Sequence, residues 1–225
     1  MSEKIASIIG ATGMVGSYLC DEILNDDYFS VARLIVRRPT SKSNPKMEVA
    51  LVDFDDAESL KLALEETDTL FCCIGTTQKN VNGDNHLYRK IDFDIPVKAA
   101  RFAKEAGCEK FILVSSVGAN PHSRTFYLKL KGELEHAIAA IGFESVHIMQ
   151  PSMLLGDRKE KRRGERFLQG SLKFVSGIFN GRMRRFRAIH GHTVAKAMLA
   201  ASKKTTVGVT RYTYDDIVKL GEERT

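Results

Sequence analysis

The sequence predicts an α/β fold, a doubly wound, mostly parallel sheet with a small C-terminal lobe. Three observations carry this expectation: short apolar runs alternate with stretches of apolar residues at helical spacing; a glycine-rich turn joins the first run to the first helix; and the alternation breaks only after Pro151. Strands that are apolar on both faces need helices above and below them, and the crossovers between parallel strands are long and right-handed.

The elements follow in order. Lys4 to Ile9 is an isoleucine-rich strand, and after the glycines Val15, Leu19 and Ile23 share one face of a helix over Met14 to Leu24. Arg33 to Val36 and Val49 to Asp53 read as strands, Ala57 to Leu64 as a short helix, and Thr69 to Ile74 as the fourth strand. A helix from His86 to Ala106, a strand from Phe111 to Ser115, a helix from Thr125 to Ile141 and a strand from Ser145 to Met149 complete the alternation. Beyond Pro151 lies a basic, glycine-punctuated region, then a helix from Thr193 to Lys203. Residues 1–225 read as a single domain, with 151–192 forming a basic lobe over the carboxyl ends of the strands, where open α/β sheets bind their ligands.

Composition narrows the setting. A chain of 225 residues buries about 70% of its unfolded surface, so no metal or disulfide staple is required. Cys20, Cys72, Cys73 and Cys108 show no C-x-x-C spacing, which points to a reducing, cytoplasmic environment. No apolar run approaches the ~20 residues of a membrane span, and the start MSEKIASIIGATG carries no basic leader, so a soluble intracellular protein is expected. The net charge of +6 is uneven: Arg158 to Arg187 holds eleven Lys or Arg and two Glu, a local +9. With Phe167, Leu168, Leu172 and Phe174 interleaved, this segment reads as a lid with solvated basic flanks, ahead of a nucleic-acid face or a membrane-surface helix. His190 and His192 lack a nearby carboxylate or cysteine at ligand spacing, so no metal is predicted, and Thr193 is the expected N-cap of the following helix.

Gly10-Ala11-Thr12-Gly13-Met14-Val15-Gly16 follows the first strand and opens the first helix. Such a turn needs glycine to bend sharply, to let backbone approach a pyrophosphate, and to pack helix against strand. The helix amides and dipole then favour the phosphate charge. The second strand ends in Arg37-Arg38, where an NAD site usually offers a carboxylate to the ribose 2′-hydroxyl and where guanidinium groups suit a 2′-phosphate. The expected cofactor is therefore NADP(H). Asp53 and Phe54, at the end of the third strand, are expected beside the adenine, and Ile74, Gly75 and Thr76, at the end of the fourth, beside the nicotinamide ribose.

Tyr127 and Lys131 stand four apart at the start of a helix, on one face, eleven to twelve residues after Ser115-Ser116. A serine, a tyrosine and a lysine so placed suit proton transfer coupled to hydride transfer. An ammonium about 4 Å from a phenol would favour the phenolate by roughly 4 kcal/mol at an effective dielectric near 20. Either Ser115 or Ser116 would steady the substrate oxygen, and Lys131 would also hold the ribose hydroxyls. The helix face with Tyr88 and Arg89 reads equally as a subunit contact or a packed face.

With G-x-x-G-x-x-G and Y-x-x-x-K together, the chain resembles the atypical branch of the short-chain dehydrogenase/reductase family. The runs FCCIGTT (Phe71 to Thr77), SSVGA (Ser115 to Ala119), YLKLKGE (Tyr127 to Glu133) and LLGDRKE (Leu154 to Glu160) are similar to those of the Tat-interacting-protein oxidoreductases within it. The resemblance implies an NADPH-bound Rossmann-like domain and a small carbonyl or hydroxyl substrate. It places Leu154 near the nicotinamide and Arg162 near the cofactor phosphates. It also implies an alternative role, an NADPH-binding redox-sensing regulator that acts through a protein partner without turnover, and it allows a homodimer. The chain departs from the family pattern at Gln150, where relatives commonly carry arginine, and at Val117, where epimerase-like relatives often carry serine.

Overall fold

A computed structural model describes residues 3–156 and 181–223. Its frame is a seven-stranded parallel sheet in the order β3-β2-β1-β4-β5-β6-β9. The strands are β1 (Ile5–Ile9), β2 (Val31–Val36), β3 (Met47–Leu51), β4 (Thr69–Cys72), β5 (Lys110–Val114), β6 (Ser145–Met149) and β9 (Gly208–Tyr212). Between β6 and β9 a separate two-stranded ladder pairs β7 (Leu154–Leu155) with β8 (Ile189–His190).

Helices cover both faces, as apolar central strands require. On one face α1 (Met14–Leu24), α6 (Gly191–Ser202) and α7 (Tyr214–Glu222) bury Leu19, Ile23, Val194, Met198 and Ile217 against Ile8, Phe71 and Ile112. On the other, α2 (Ala57–Leu64), α4 (Ile95–Glu105) and α5 (Phe126–Ala139) bury Leu60, Leu64, Ala99, Leu134 and Ile138 against Ile9, Leu70 and Phe111. Fully burying one such aliphatic side chain stabilises the fold by about 1.5 to 3 kcal/mol. Strand order reverses between β1 and β4, which opens the crevice in which ligands of such sheets bind.

Several expectations need correction. The strand expected at Val49 to Asp53 runs instead over Met47–Leu51, and it is not apolar on both faces: it is the sheet edge, with Val49 and Leu51 exposed. The helix expected at His86 to Ala106 is three joined segments. These are α3 (Asn85–Arg89), a π turn over Lys90–Asp94, and α4. Pro96 accounts for the π turn, because its ring excludes the carbonyl of residue 92 at α spacing and it offers no N–H. Thr193 is not a cap: α6 starts two residues earlier, and the His190 side chain accepts the His192 amide. Beyond Lys203 the edge strand β9 and the helix α7 continue the alternation. Most of the basic lobe lies outside the described residues; of Arg158 to Arg187, a 3-10 turn over Gly181–Phe186 and Arg187 are described.

Candidate active site

A cavity of about 410 Å³ opens at the point where strand order reverses. Thr12 and Gly13 of the glycine loop with Met14, Val15 and Ser17 of α1 line it on one side, Cys73 to Thr77 after β4 on another, and Ser115, Tyr127, Lys131 and Leu154 close it. Residues that the sequence placed in the phosphate loop, the ribose site and the catalytic group thus share one space.

The loop from Gly10 to Gly16 is built as its glycines require. Gly10 has φ +82°, in the left-handed region, and a Cβ there would stand 2.6 Å from the Cys73 carbonyl carbon. At Gly16 a Cβ would drive into the Gly10 carbonyl oxygen, so only glycine lets α1 pack this close to β1. Ala11 and Val15 are buried as anchors, while Thr12 and Gly13 are exposed and Met14 is half-buried. Gly13 caps α1 without a side-chain hydrogen bond, leaving the first-turn amides and the positive end of the dipole toward the cavity.

Tyr127, the second residue of α5, is 39% exposed and lines the cavity. Lys131, one turn on, is buried and ion-paired: its Nζ is 2.9 Å from Asp92 Oδ2. The sequence placed this ammonium beside the phenol without a carboxylate partner in view; the structure adds Asp92 to the pair. Burial pulls the Lys131 pKa down, but the neighbouring Asp92 and Tyr127 outweigh it, so the pKa is raised above its ordinary value. Asp92 also accepts the Thr76 amide at 2.7 Å through Oδ1, and so ties the π turn to the loop after β4 and to α5. Oδ2 has no partner among the described residues besides the ammonium, and Asp92 lines the cavity.

Tyr88, read as a face residue, is buried; its hydroxyl donates to the Thr76 carbonyl at 3.1 Å and its ring packs edge-on against Phe126 and Tyr127. Burial raises its pKa, with Asp92 and Tyr127 adding to the effect, so it remains a neutral phenol. Arg89 beside it pairs with Glu133 at 2.7 Å.

Ser115 and Ser116 follow β5 and are both buried. Only Ser115 lines the cavity, and it donates to Glu135 Oε1 at 2.6 Å. Glu135, buried on α5, also accepts Gln150 Nε2 at 2.8 Å and Arg211 Nε at 2.9 Å. Beside Gln150, where the resemblance implied an arginine, the cation at this corner is Arg211 of β9. Ser116 Oγ makes only a 3.4 Å contact with the Val117 carbonyl.

Arg37, Arg38, Asp53 and Phe54 stand just past the ends of β2 and β3, outside the cavity lining. Both arginines are exposed, and neither has an ion pair among the described residues, unlike Arg33, which binds Glu48 at 2.8 Å. The Asp53 carboxylate accepts the Asp55 amide at 2.9 Å, and the buried Phe54 gives its carbonyl to Lys98 at 2.8 Å. Leu154 lies in β7; Arg162 falls outside the described residues. Burial raises the Cys72 thiol to about 11 and Cys73 well above its ordinary value, so neither offers a thiolate near pH 7.

Sequence reasoning missed Asp92 and Glu135, and of its two readings of Tyr88 the packed face is the one the described residues show. A signal existed for Glu135, which stands four residues after Lys131 on the face that carries Tyr127. For Asp92 the signal was Pro96 four residues on, which marks the widened turn.

Comparison with known proteins gives this geometry a setting. A family model described as NAD(P)H-binding matches residues 10–205. "Protein HTATIP2" of Rattus norvegicus is 37% identical over 170 residues, 73% of this chain and 69% of that protein. "Protein FMP52, mitochondrial" of Saccharomyces cerevisiae is 33% identical over 195 residues, covering 84% and 83% of the two chains. Among solved structures, a UDP-N-acetylglucosamine 4-epimerase from Methanobrevibacter ruminantium M1 superposes with a TM-score of 0.70 at 18% identity, over 95% of this chain and 77% of that one. MoeE5 in complex with UDP-glucose and NAD gives 0.71 at 15%, over 98% and 81%; at these identities the match speaks for the fold. With the fold, the glycine loop and these relatives in agreement, the chain belongs to the NAD(P)H-binding Rossmann family that contains the HTATIP2 and FMP52 proteins.

Proposed function

We propose that the protein is an NADPH-dependent oxidoreductase of short-chain dehydrogenase/reductase type, acting on a small carbonyl or hydroxyl compound. The observation that carries this reading is one shared cavity, lined both by a helix N-terminus without a side-chain cap and by Ser115, Tyr127 and Lys131. The residues fit the cofactor: glycines at 10 and 16 leave the backbone cradle free of side chains, and the buried Asp92 Oδ2 faces the space where ribose hydroxyls would donate. Thr12 to Gly16 would hold the pyrophosphate, Gly75, Thr76 and Lys131 the ribose, and Leu154 the nicotinamide. Arg37 and Arg38, without competing carboxylates among the described residues, would take the 2′-phosphate.

NADPH, when bound, supplies a hydride. Tyr127 would supply the proton from its hydroxyl to the substrate oxygen. Lys131 is a positioning residue held charged by Asp92, and its ammonium lets the tyrosine oxygen carry negative charge after transfer. Ser115 would anchor the substrate; Ser116, outside the lining, would hold the turn behind it. Residues 151–192 would close over the substrate, a task that the exposed Met153, Met183 and Phe186 suit with apolar contact. The four free thiols support a reducing compartment, for which we propose the cytoplasm; the FMP52 relatives are named mitochondrial, and cell fractionation decides between the two.

A second reading keeps the cofactor site and drops the chemistry: an NADPH-binding regulator that signals redox state to a protein partner. The exposed turn with Met183, Arg185 and Phe186 gives it a surface. Tyr127→Phe separates the two. NADPH oxidation across a panel of small aldehydes and ketones should fall at least a hundredfold in the variant, while NADPH binding stays within a few-fold. A wild-type protein that binds NADPH yet oxidises it no faster than the variant would favour the regulator.

A further inference from the structure

We propose that Glu135 fixes the polarity of Ser115, so that the serine presents lone pairs rather than a proton to the cavity. This rests on the oxidoreductase reading above and specifies what the site accepts. A serine hydroxyl has one proton, and an ionised carboxylate only accepts. The Ser115 proton is committed to Glu135 Oε1 at 2.6 Å, a short charge-assisted bond between two groups that are 5% and 3% exposed. The other two partners of Glu135 enforce the same direction. Gln150 donates through Nε2 to Oε1 at 2.8 Å, and the Arg211 guanidinium lies 2.9 Å from Oε2, so both nitrogen partners can only give a proton and both carboxylate oxygens are acceptors.

Ser115 Oγ can therefore receive a hydrogen bond from a ligand but cannot give one. A carbonyl oxygen, which only accepts, gains nothing from it, and the one hydroxyl donor left to that oxygen on the lining between β5 and α5 is Tyr127. The group that docks on Ser115 is an O–H or N–H, as an alcohol carries and the matching ketone does not. Ser115 and Glu135 thus bias the site toward the hydroxyl form of its substrate pair.

Neutron diffraction from deuterium-exchanged crystals of the wild-type protein tests the polarity directly. Deuterium is expected on the line from Ser115 Oγ to Glu135 Oε1; deuterium pointing into the cavity overturns the proposal. Saturation-transfer NMR on the cofactor-free protein, with cyclohexanol and cyclohexanone as probes, tests the consequence. Wild type should favour the alcohol about two- to tenfold, the range of one hydrogen bond, and Ser115→Ala should remove the preference. Equal binding of both probes to the wild type also overturns it. Neither measurement uses NADPH or turnover, so a protein that fails to bind the cofactor would refute the oxidoreductase reading without touching this one.

Discussion

Asp92 shows what a single residue contributes. Its carboxylate holds the Thr76 amide and the Lys131 ammonium at once, at 2.7 and 2.9 Å, with almost no solvent access. Removing one member of a buried pair strands the other charge, which costs about 3 to 5 kcal/mol. Asp92→Asn keeps the shape and removes the charge, so denaturant unfolding should show a loss of that order. Desolvation would then act on Lys131 with less opposition, and its titration followed by NMR should move to lower pH. A variant as stable as wild type, with Lys131 unmoved, would contradict the assignment. The Tyr127 and Lys131 pair was legible from its spacing together with Ser115-Ser116 and the glycine loop before it; the pairing of Asp92 with Lys131 was not, because no local pattern ties residue 92 to residue 131.

At the scale of elements, β6 carries a polar chain in an otherwise apolar interior. His147 is fully buried, with Nδ1 2.8 Å from the Tyr212 hydroxyl on β9 and Nε2 2.9 Å from Ser145 Oγ. Burial, reinforced by Lys110 and Lys204, lowers its pKa to about 4. An unfolded histidine titrates near 6.5, so the unfolded state binds the proton first. Stability is therefore full above pH 6.5, falls as pH drops through the window, and levels off near pH 4, a loss of about 3 kcal/mol. Urea unfolding at pH 7, 5.5 and 4 should show this slope, and His147→Gln should flatten it by the same amount; equal slopes in both proteins would contradict the account. Elements with strong periodicity were legible to the residue, as for Met14–Leu24, Ala57–Leu64 and Ser145–Met149. The edge strands were not: Met47–Leu51 and Gly208–Tyr212 expose one side, so they lack the continuous apolar run that marks a buried strand. The π turn escaped because Pro96 sits inside a pattern that otherwise runs as one helix.

The whole molecule places two arrangements at one crevice. The face with α1 supplies a helix end with no side-chain cap, and the face with α5 supplies Tyr127, Lys131 and the Glu135 support for Ser115. A doubly wound sheet brings them together because residues at the carboxyl ends of β1, β4 and β5 become neighbours however far apart in sequence. That topology let the glycine loop and the tyrosine–lysine pair be placed together from the chain, whereas the sequence of 151–192 carries no comparable code. We propose that this crevice, with Arg37 and Arg38 just past the end of β2, binds the phosphorylated nicotinamide coenzyme. Titration calorimetry with NADPH and NADH tests it most directly. NADPH should bind about ten- to a hundredfold more tightly than NADH, the range of one or two charge-assisted bonds, and the Arg37→Ala, Arg38→Ala double variant should bind the two alike. No heat from folded wild-type protein with either coenzyme at millimolar concentration would contradict it.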